Sequence, residues 1–219
     1  LILKLDKIVV VLSDLTEIWQ GLIAYGKKGQ PREYTSEVKV DDSYRKLLYG
    51  GNIKKYSINW AGEYLSYGDW LHRPRPSYIY DKPKILSQSI RKPKVVNRIV
   101  GALDYNKHLN GTGLSNILLK DDASISLEFL LGLINSKLIN YWFGFYFSDV
   151  NIKPEQLRKI PILKNFEIEK NIENKVIDIQ KLKQENPKAD TSHLEKEIDQ
   201  MVYELYGLTE EEIEIVENS

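Results

Sequence analysis

Ser126-Leu127-Glu128-Phe129-Leu130-Leu131-Gly132-Leu133-Ile134-Asn135-Ser136-Lys137-Leu138-Ile139-Asn140-Tyr141-Trp142-Phe143-Gly144-Phe145 decides how the rest of the chain is read. From Leu127 onward the apolar positions Leu130, Leu131, Ile134, Leu138, Tyr141, Trp142 and Phe145 recur in steps of three and four, behind Ser124 or Ser126 as N-cap. That spacing predicts one core helix. On its N-terminal side the sequence favours strands: Tyr56, Ile58 and Trp60 alternate with polar residues, and 85–90, 98–103 and 117–119 are short β-favouring runs bounded by Gly, Pro or Asn. On its C-terminal side Pro154 and Pro161 bracket a turn into the apolar run 160–163, after which the composition changes.

Beyond Asn165, the residues Ile168, Ile172, Val176, Ile179 and Leu182 form a helical stripe that Asn186-Pro187 stops. Ser192-His193-Leu194-Glu195 has capping-box form and opens a second stripe through Leu194, Ile198, Met201 or Val202, and Leu205, while Thr209 offers a cap for a short terminal helix. The expectation is an α+β chain: a strand-rich domain with one core helix over 1–164, then an acidic α-helical hairpin and tail over 165–219. The hairpin must bury its stripes against each other, the front domain or a partner.

The chain has 219 residues, 42% of them hydrophobic, enough to bury a sizeable core without staples. It lacks cysteine, which excludes a disulfide framework and thiolate chemistry and fits a reducing, cytoplasmic setting. Its apolar runs, such as 8–12, are too short to span a bilayer, so no membrane partner is expected. The first residue is Leu rather than Met, which fits a domain whose catalytic partner lies upstream.

The net charge is zero, but the zero is an average: residues 1–164 hold 25 basic and 16 acidic residues, and 165–219 hold 6 basic and 15 acidic. Such asymmetry suits a chain of which one region meets a polyanion and another stays clear of it. The basic excess concentrates in 73–98, where Arg73, Arg75, Lys82, Lys84, Arg91, Lys92, Lys94 and Arg98 face the single acid Asp81, with Tyr78, Tyr80 and Gln88 interleaved and four prolines holding the segment out of helix. Lys54-Lys55-Tyr56 and Lys27-Lys28 with Arg32 add two weaker clusters. Basic groups on rigid loops suit phosphates, and Arg or Gln can bond base edges in the major groove. By residue type, Lys27, Lys28, Lys54, Lys55, Lys92 and Lys94 are phosphate candidates, and Arg73, Arg75, Gln88, Arg91 and Arg98 are base-edge candidates. Solvated basic loops remain the alternative. The aromatics Trp60, Tyr64, Tyr67 and Trp70 read as packing residues.

Motifs for chemistry are missing. There is no Asn/Asp-Pro-Pro-aromatic segment, no Gly-x-Ser-x-Gly elbow and no phosphate loop, and Glu37-Val38-Lys39 lacks the preceding Pro-Asp of a metal-dependent nuclease. His72, His108 and His193 follow no metal-ligand spacing. No catalytic, cofactor or metal site is expected on this chain, and it is not expected to be an enzyme by itself.

Several blocks, in order, resemble the TaqI-like C-terminal specificity domain, the target-recognition part of type II restriction-modification enzymes that modify adenine at N6. Residues 15–26 resemble its opening strand and glycine turn, and Leu47-Leu48-Tyr49-Gly50-Gly51-Asn52-Ile53-Lys54-Lys55-Tyr56 its Leu-Leu-x-Gly-x-x-Ile-x-x-Tyr signature. Residues 84–91 are similar to its central strand, 100–119 to the following hairpin and strand, 130–139 to its Leu-Leu-x-x-Leu-Asn-Ser-Lys helix, and 157–162 to its closing Leu-x-x-Ile-Pro-Ile strand; 197–209 look like the ending of many such enzymes. The resemblance implies sequence-specific binding to duplex DNA, with N-terminal methyltransferase or nuclease domains as partners. Those parts would use S-adenosylmethionine, and Mg where they cleave. The matched positions are core and turn residues, so the resemblance carries the fold and not the base contacts. A single unit also resembles half of a type I specificity subunit. A protein-interaction module, with the hairpin as its working surface, is the other reading.

Overall fold

A computed structural model describes residues 1–93 and 95–219. Its centre is a four-stranded antiparallel sheet formed by β1 (Thr16–Gln20), β9 (Lys84–Gln88), β10 (Gly101–Asp104) and β12 (Leu114–Leu119), in the order β1-β12-β9-β10. Alternation of side chains gives this sheet two buried faces. Ile18, Ile117, Ile85 and Leu103 lie opposite one another across all four strands and point into one core, whereas Leu86, Ala102 and Leu114 belong to a second. That explains why these strands read as compact apolar runs.

The second face is covered by shorter strands. β3 (Thr35–Ser36), β4 (Tyr44–Leu48), β7 (Tyr64–Ser66) and β11 (Leu109–Asn110) make a second sheet in the order β11-β4-β7-β3, with β11 and β4 parallel. Two ribbons complete it, β2 (Ile23–Gly26) with β8 (Leu71–Arg73), and β5 (Ile53–Lys54) with β6 (Ser57–Ile58). Gly21, between β1 and β2, is fixed by crowding: a Cβ there would come within 2.2 Å of the Gly111 carbonyl oxygen.

The first face carries helices. The expected single core helix is two: α4 (Leu127–Asn135) and α5 (Lys137–Tyr146), interrupted at Ser136, whose ψ of 153° is extended. Short helices α1 (Ile2–Leu5), α2 (Leu12–Leu15), α3 (Tyr78–Asp81) and α6 (Pro154–Leu157) fill the connections. α7 (Phe166–Glu185) and α8 (Ser192–Leu205) form the expected hairpin, followed by α9 (Glu210–Glu217) under a Thr209 cap. α8 is preceded by Thr191 as its N-cap residue, not by a Ser192 box; the Thr191 hydroxyl instead donates to Glu195 at 2.8 Å.

α7 lies directly on α4, since a Cβ on Gly132 would come within 2.5 Å of the Ile172 side chain. Ile172, Val176, Ile179, Leu194, Ile198 and Val202 of the hairpin share one continuous cluster with Ile18, Ile85 and Leu130 of the front region. The expected alternation through Tyr56 and Trp60 is not a strand of that length. Only Ser57 and Ile58 pair, because Tyr56 occupies a turn at φ 63° and drops its ring into the core.

The break at Ser136 is a junction. The Asn135 side chain accepts from Gly101 N–H at 2.9 Å and donates to the Gly101 carbonyl at 3.0 Å; the Asn140 amide accepts from Ile99 N–H at 2.5 Å. Asp199 of α8 reaches in from the hairpin and accepts from the Lys137 N–H at 2.8 Å, at the first residue of α5. Burial raises the Asp199 carboxyl to about 6, outweighing the Lys137 N–H and the Lys55 and Lys137 charges.

Asn135→Ala should lower unfolding free energy by about 1–3 kcal/mol, because it strands a buried N–H, as read by urea denaturation. For Asp199, the native state retains a proton that the unfolded chain has released between about pH 4 and pH 6, so the contribution of this group to stability falls as pH rises through that window. Asp199→Asn does not titrate. Its stability relative to the parent should therefore increase between pH 4 and pH 7, by on the order of 2 kcal/mol, in denaturation curves taken at both ends.

Candidate nucleic-acid interface

The β2–β8 ribbon gathers two of the three basic clusters. Antiparallel pairing sets Ile23 opposite Arg73 and Gly26 opposite Leu71, and Lys27 N–H continues the ladder to the Trp70 carbonyl at 3.1 Å. Lys27 and Lys28 thus sit in the exposed turn at one end of the ribbon, with Arg73 exposed at the other. Arg32 lies over the Tyr25 ring at 4.1 Å, and Tyr25 stacks on His72 at 5.4 Å, so a cation and a second ring both pack on Tyr25. Among the described residues none of Lys27, Lys28, Arg32 and Arg73 stands within ion-pair distance of a carboxylate, in contrast to Arg45 with Asp81 and Lys55 with Glu195.

Arg75 joins this ribbon to an open cleft of about 670 Å³ at the end of the central sheet. Its Nε donates to the Gln20 carbonyl at 3.2 Å. Gln20, Asn151, Lys153 and Arg158 line the same cleft, with Ile90 on its wall. The Gln20 amide donates to the Thr112 carbonyl at 3.0 Å, and Arg158 is held by the Ile18 carbonyl at 2.9 Å and by Glu155 at 3.4 Å. These groups combine amides and guanidiniums, the donor and acceptor set that suits base edges and phosphates.

Several expected contacts are used inside the protein. Arg98 is 1% exposed, and its guanidinium donates to the carbonyls of Arg91 at 3.0 Å, Phe147 at 3.4 Å and Asp149. Gln88 donates to the carbonyls of Gly50 at 2.9 Å and Ile53 at 2.7 Å, and accepts from Arg91 at 2.5 Å; Arg91 also donates to the Asn97 carbonyl at 2.8 Å. Tyr56 is in the core, and Lys55 is paired with Glu195 of α8 at 2.7 Å. The base-edge reading of Arg98 and the interface reading of Tyr56 are therefore corrected, because both side chains are buried; Gln88 and Lys55 are partly exposed, with their polar atoms engaged within the chain. Arg91 is held in the same network and is partly exposed. Lys84 is likewise internal, in a fully buried pair with Asp104 at 2.7 Å that His108 extends at 2.8 Å.

Lys54 and Lys92 are exposed, and Lys94 lies outside the described residues. The third basic cluster does not join the ribbon: β5 and β6 pack on β10 at the edge of the central sheet, β6 also meets α7, and Lys55 pairs with Glu195 of α8. The aromatics behave as packing groups. Trp60 meets Tyr64 edge-on at 4.9 Å, and Trp70 donates to the Ser66 carbonyl at 3.1 Å. Sequence reasoning missed Gln20, Asn151, Lys153 and Arg158, which lie outside the basic runs and meet only in three dimensions.

The TaqI-like C-terminal specificity domain pattern matches residues 45–162, more than half of the chain. The chain belongs to that family. A relative from Methanocaldococcus jannaschii, named as a type II restriction enzyme and methyltransferase, is 28% identical over an alignment that covers 89% of this specificity domain and 17% of the relative. In fold it matches the Type IIL restriction-modification enzyme MmeI, solved in complex with DNA, at a TM-score of 0.64 and 11% identity, covering 92% of this chain and 34% of that one. The HsdS subunit from Thermoanaerobacter tengcongensis aligns at a TM-score of 0.45 and 16% identity, over 90% of this chain and 44% of that one. The specificity domain thus spans about a sixth of the curated relative. Among the described residues no helix is long and apolar enough to cross a membrane, and no group of three metal-ligating side chains occurs.

Arg98→Lys keeps one charge but cannot serve three carbonyls with a planar fork, and should cost about 2–4 kcal/mol in urea denaturation. Arg73→Lys, at an exposed site, should change stability by less than about 0.5 kcal/mol. Equal effects of the two substitutions would contradict the clamp.

Proposed function

We propose that this specificity domain binds duplex DNA sequence-specifically for a restriction-modification enzyme whose methyl transfer to adenine N6, and any strand cleavage, are performed by other parts of the protein. The single observation that carries the reading is the junction at Arg75, where a ribbon of cations outside any ion pair among the described residues meets a cleft that presents amides and guanidiniums beside Lys153 and one carboxylate, Glu155. The name of the relative and the fold match to MmeI support the same reading. S-adenosylmethionine, and Mg where cleavage occurs, would be held by those other parts, and the cytoplasm is the setting.

In this mechanism Lys27, Lys28, Lys92 and Lys94 meet phosphates, with Lys54 as an outlying contact, while Arg32, Arg73, Arg75 and Arg91 approach the groove. A methyltransferase acting on a base extrudes it from the stack at a cost of roughly a few kcal/mol, and a specificity domain keeps the distorted duplex in register meanwhile. Residues 1–164 would do this work. The hairpin over 165–219 carries the acidic excess and packs through α4 against the face of the sheet opposite the ribbon core of Leu22 and Leu71. Its acids are thereby kept away from phosphates.

With about six phosphates neutralised, affinity for duplex DNA should fall on the order of a thousandfold between 50 and 200 mM salt. Replacing Lys27 and Lys28 together by Gln should lower the slope of log affinity against log salt by about two, without changing which sequence is preferred. Titration of the full chain against mixed-sequence and selected duplexes checks both outcomes; binding that ignores salt would overturn the mechanism.

A further inference from the structure

The buried clamp described above has a product, which is the placement of Ile90. This residue is 62% exposed on the wall of the cleft, which Trp19 and Pro154 also line. Single exposed apolar residues are ordinary on protein surfaces, but this one is held with unusual thoroughness. Ser89 N–H donates to the Gly113 carbonyl at 2.9 Å, Arg91 N–H to the Val150 carbonyl at 3.0 Å, and Ile152 N–H to the Ser89 carbonyl at 2.8 Å. Ile90 is bridged to Asn151 across this pairing. Arg98 then ties the two segments together through the Arg91 and Asp149 carbonyls, and Gln88 with Arg91 fixes the strand end to Gly50 and Ile53. A β-branched side chain with a stiff χ1 on such a mount has little freedom to lose on contact.

Around it stand Gln20, Arg75, Asn151 and Arg158, whose chemistry suits adenine and guanine edges in the major groove. The one major-groove feature that none of them can recognise by hydrogen bonding is the 5-methyl group of thymine, which requires an apolar partner. We infer that Ile90 is a specificity-determining residue that contacts a thymine 5-methyl group in the recognised sequence. The inference rests on the DNA-reading function proposed above and assigns the chemistry of one position within it.

The test begins with selection of the preferred duplex from a random pool by the full 219-residue chain. Each thymine of that duplex is then replaced singly by deoxyuridine, which removes only the methyl group. At one position the parent chain should lose about fourfold in affinity, the worth of one buried methyl group. Ile90→Ala should bind the thymine and uracil duplexes equally there and keep its thermal midpoint, since the side chain is mostly exposed. Ile90→Val should retain a reduced preference for thymine. Failure of the parent chain to select any duplex defeats the DNA-reading function itself. Selection with uracil tolerated at every position, or with the same uracil loss in parent and Ile90→Ala, overturns the assignment of Ile90 alone. Loss of affinity by Ile90→Ala on every sequence alike would mean a wedge between base steps and also overturns it.

Discussion

Between Asn135 and Lys137 the most apolar helical stretch of the chain is interrupted, and the interruption supplies hydrogen bonds that the sheet lacks. β10 is an edge strand of the central sheet, and an edge strand buried under helices would leave unpaired amides in the core. Asn135 closes a two-point bond with Gly101, and Asn140 takes the Ile99 N–H. An uninterrupted helix would change the direction of α5 relative to α4. The break also frees the first amides of α5, one of which Asp199 of the hairpin satisfies. One local irregularity therefore fixes sheet edge, helix direction and hairpin position together.

Charge follows the same architecture. The hairpin is bound to the front region mainly by apolar contacts under α4, and apart from the buried Asp199 several of its acids pair with nearby lysines, as Glu195 does with Lys55 and Glu217 with Lys137. Those lysines are thereby withdrawn from the pool of free cations. Lys27, Lys28, Arg32 and Arg73, which stand in no ion pair among the described residues, sit on or beside the ribbon, which belongs to the core on the other face of the sheet. A net charge of zero thus conceals a front region with a basic excess and a hairpin with an acidic one, and the sequence division at Lys164 falls just before α7 starts at Phe166.

Much of the fold was legible because burial imposes period. The stripes through Leu130 and Ile134, or Ile172 and Val176, register a helix wherever it packs, and the strand runs register a doubly covered sheet. The break at Ser136 escaped because the apolar spacing stays in phase across it; the Asn-Ser pair was the visible sign, since both residues favour caps over helix interiors. Basic residues were harder. Arg73 and Arg98 are chemically identical, and composition cannot separate a cation facing water from one enclosed by three carbonyls. Context could have: Arg98 abuts Ile99-Val100 and Lys84 abuts Ile85-Leu86, and a cation joined to an apolar run tends to follow it inward. The cleft was not legible at all, because Gln20, Arg75, Asn151 and Arg158 are brought together by pairing between distant segments.

Burial of a guanidinium requires explanation, since desolvating an ion costs several kcal/mol and a well-packed apolar residue would often be more stable. Arg98 has no carboxylate within its clamp; its partners are main-chain carbonyls of Arg91, Phe147 and Asp149. Carbonyls impose direction, and three of them around one planar fork determine the relative placement of two chain segments more tightly than an apolar contact does. The segments so placed carry Ile90 on one side and Asn151 with Lys153 on the other, which are walls of the same cleft. A binding surface that discriminates between bases gains from walls that do not shift by an ångström, because ordering costs at contact are then already met. The clamp is accordingly best understood as rigidity supplied to the cleft, with the desolvation of Arg98 as its cost.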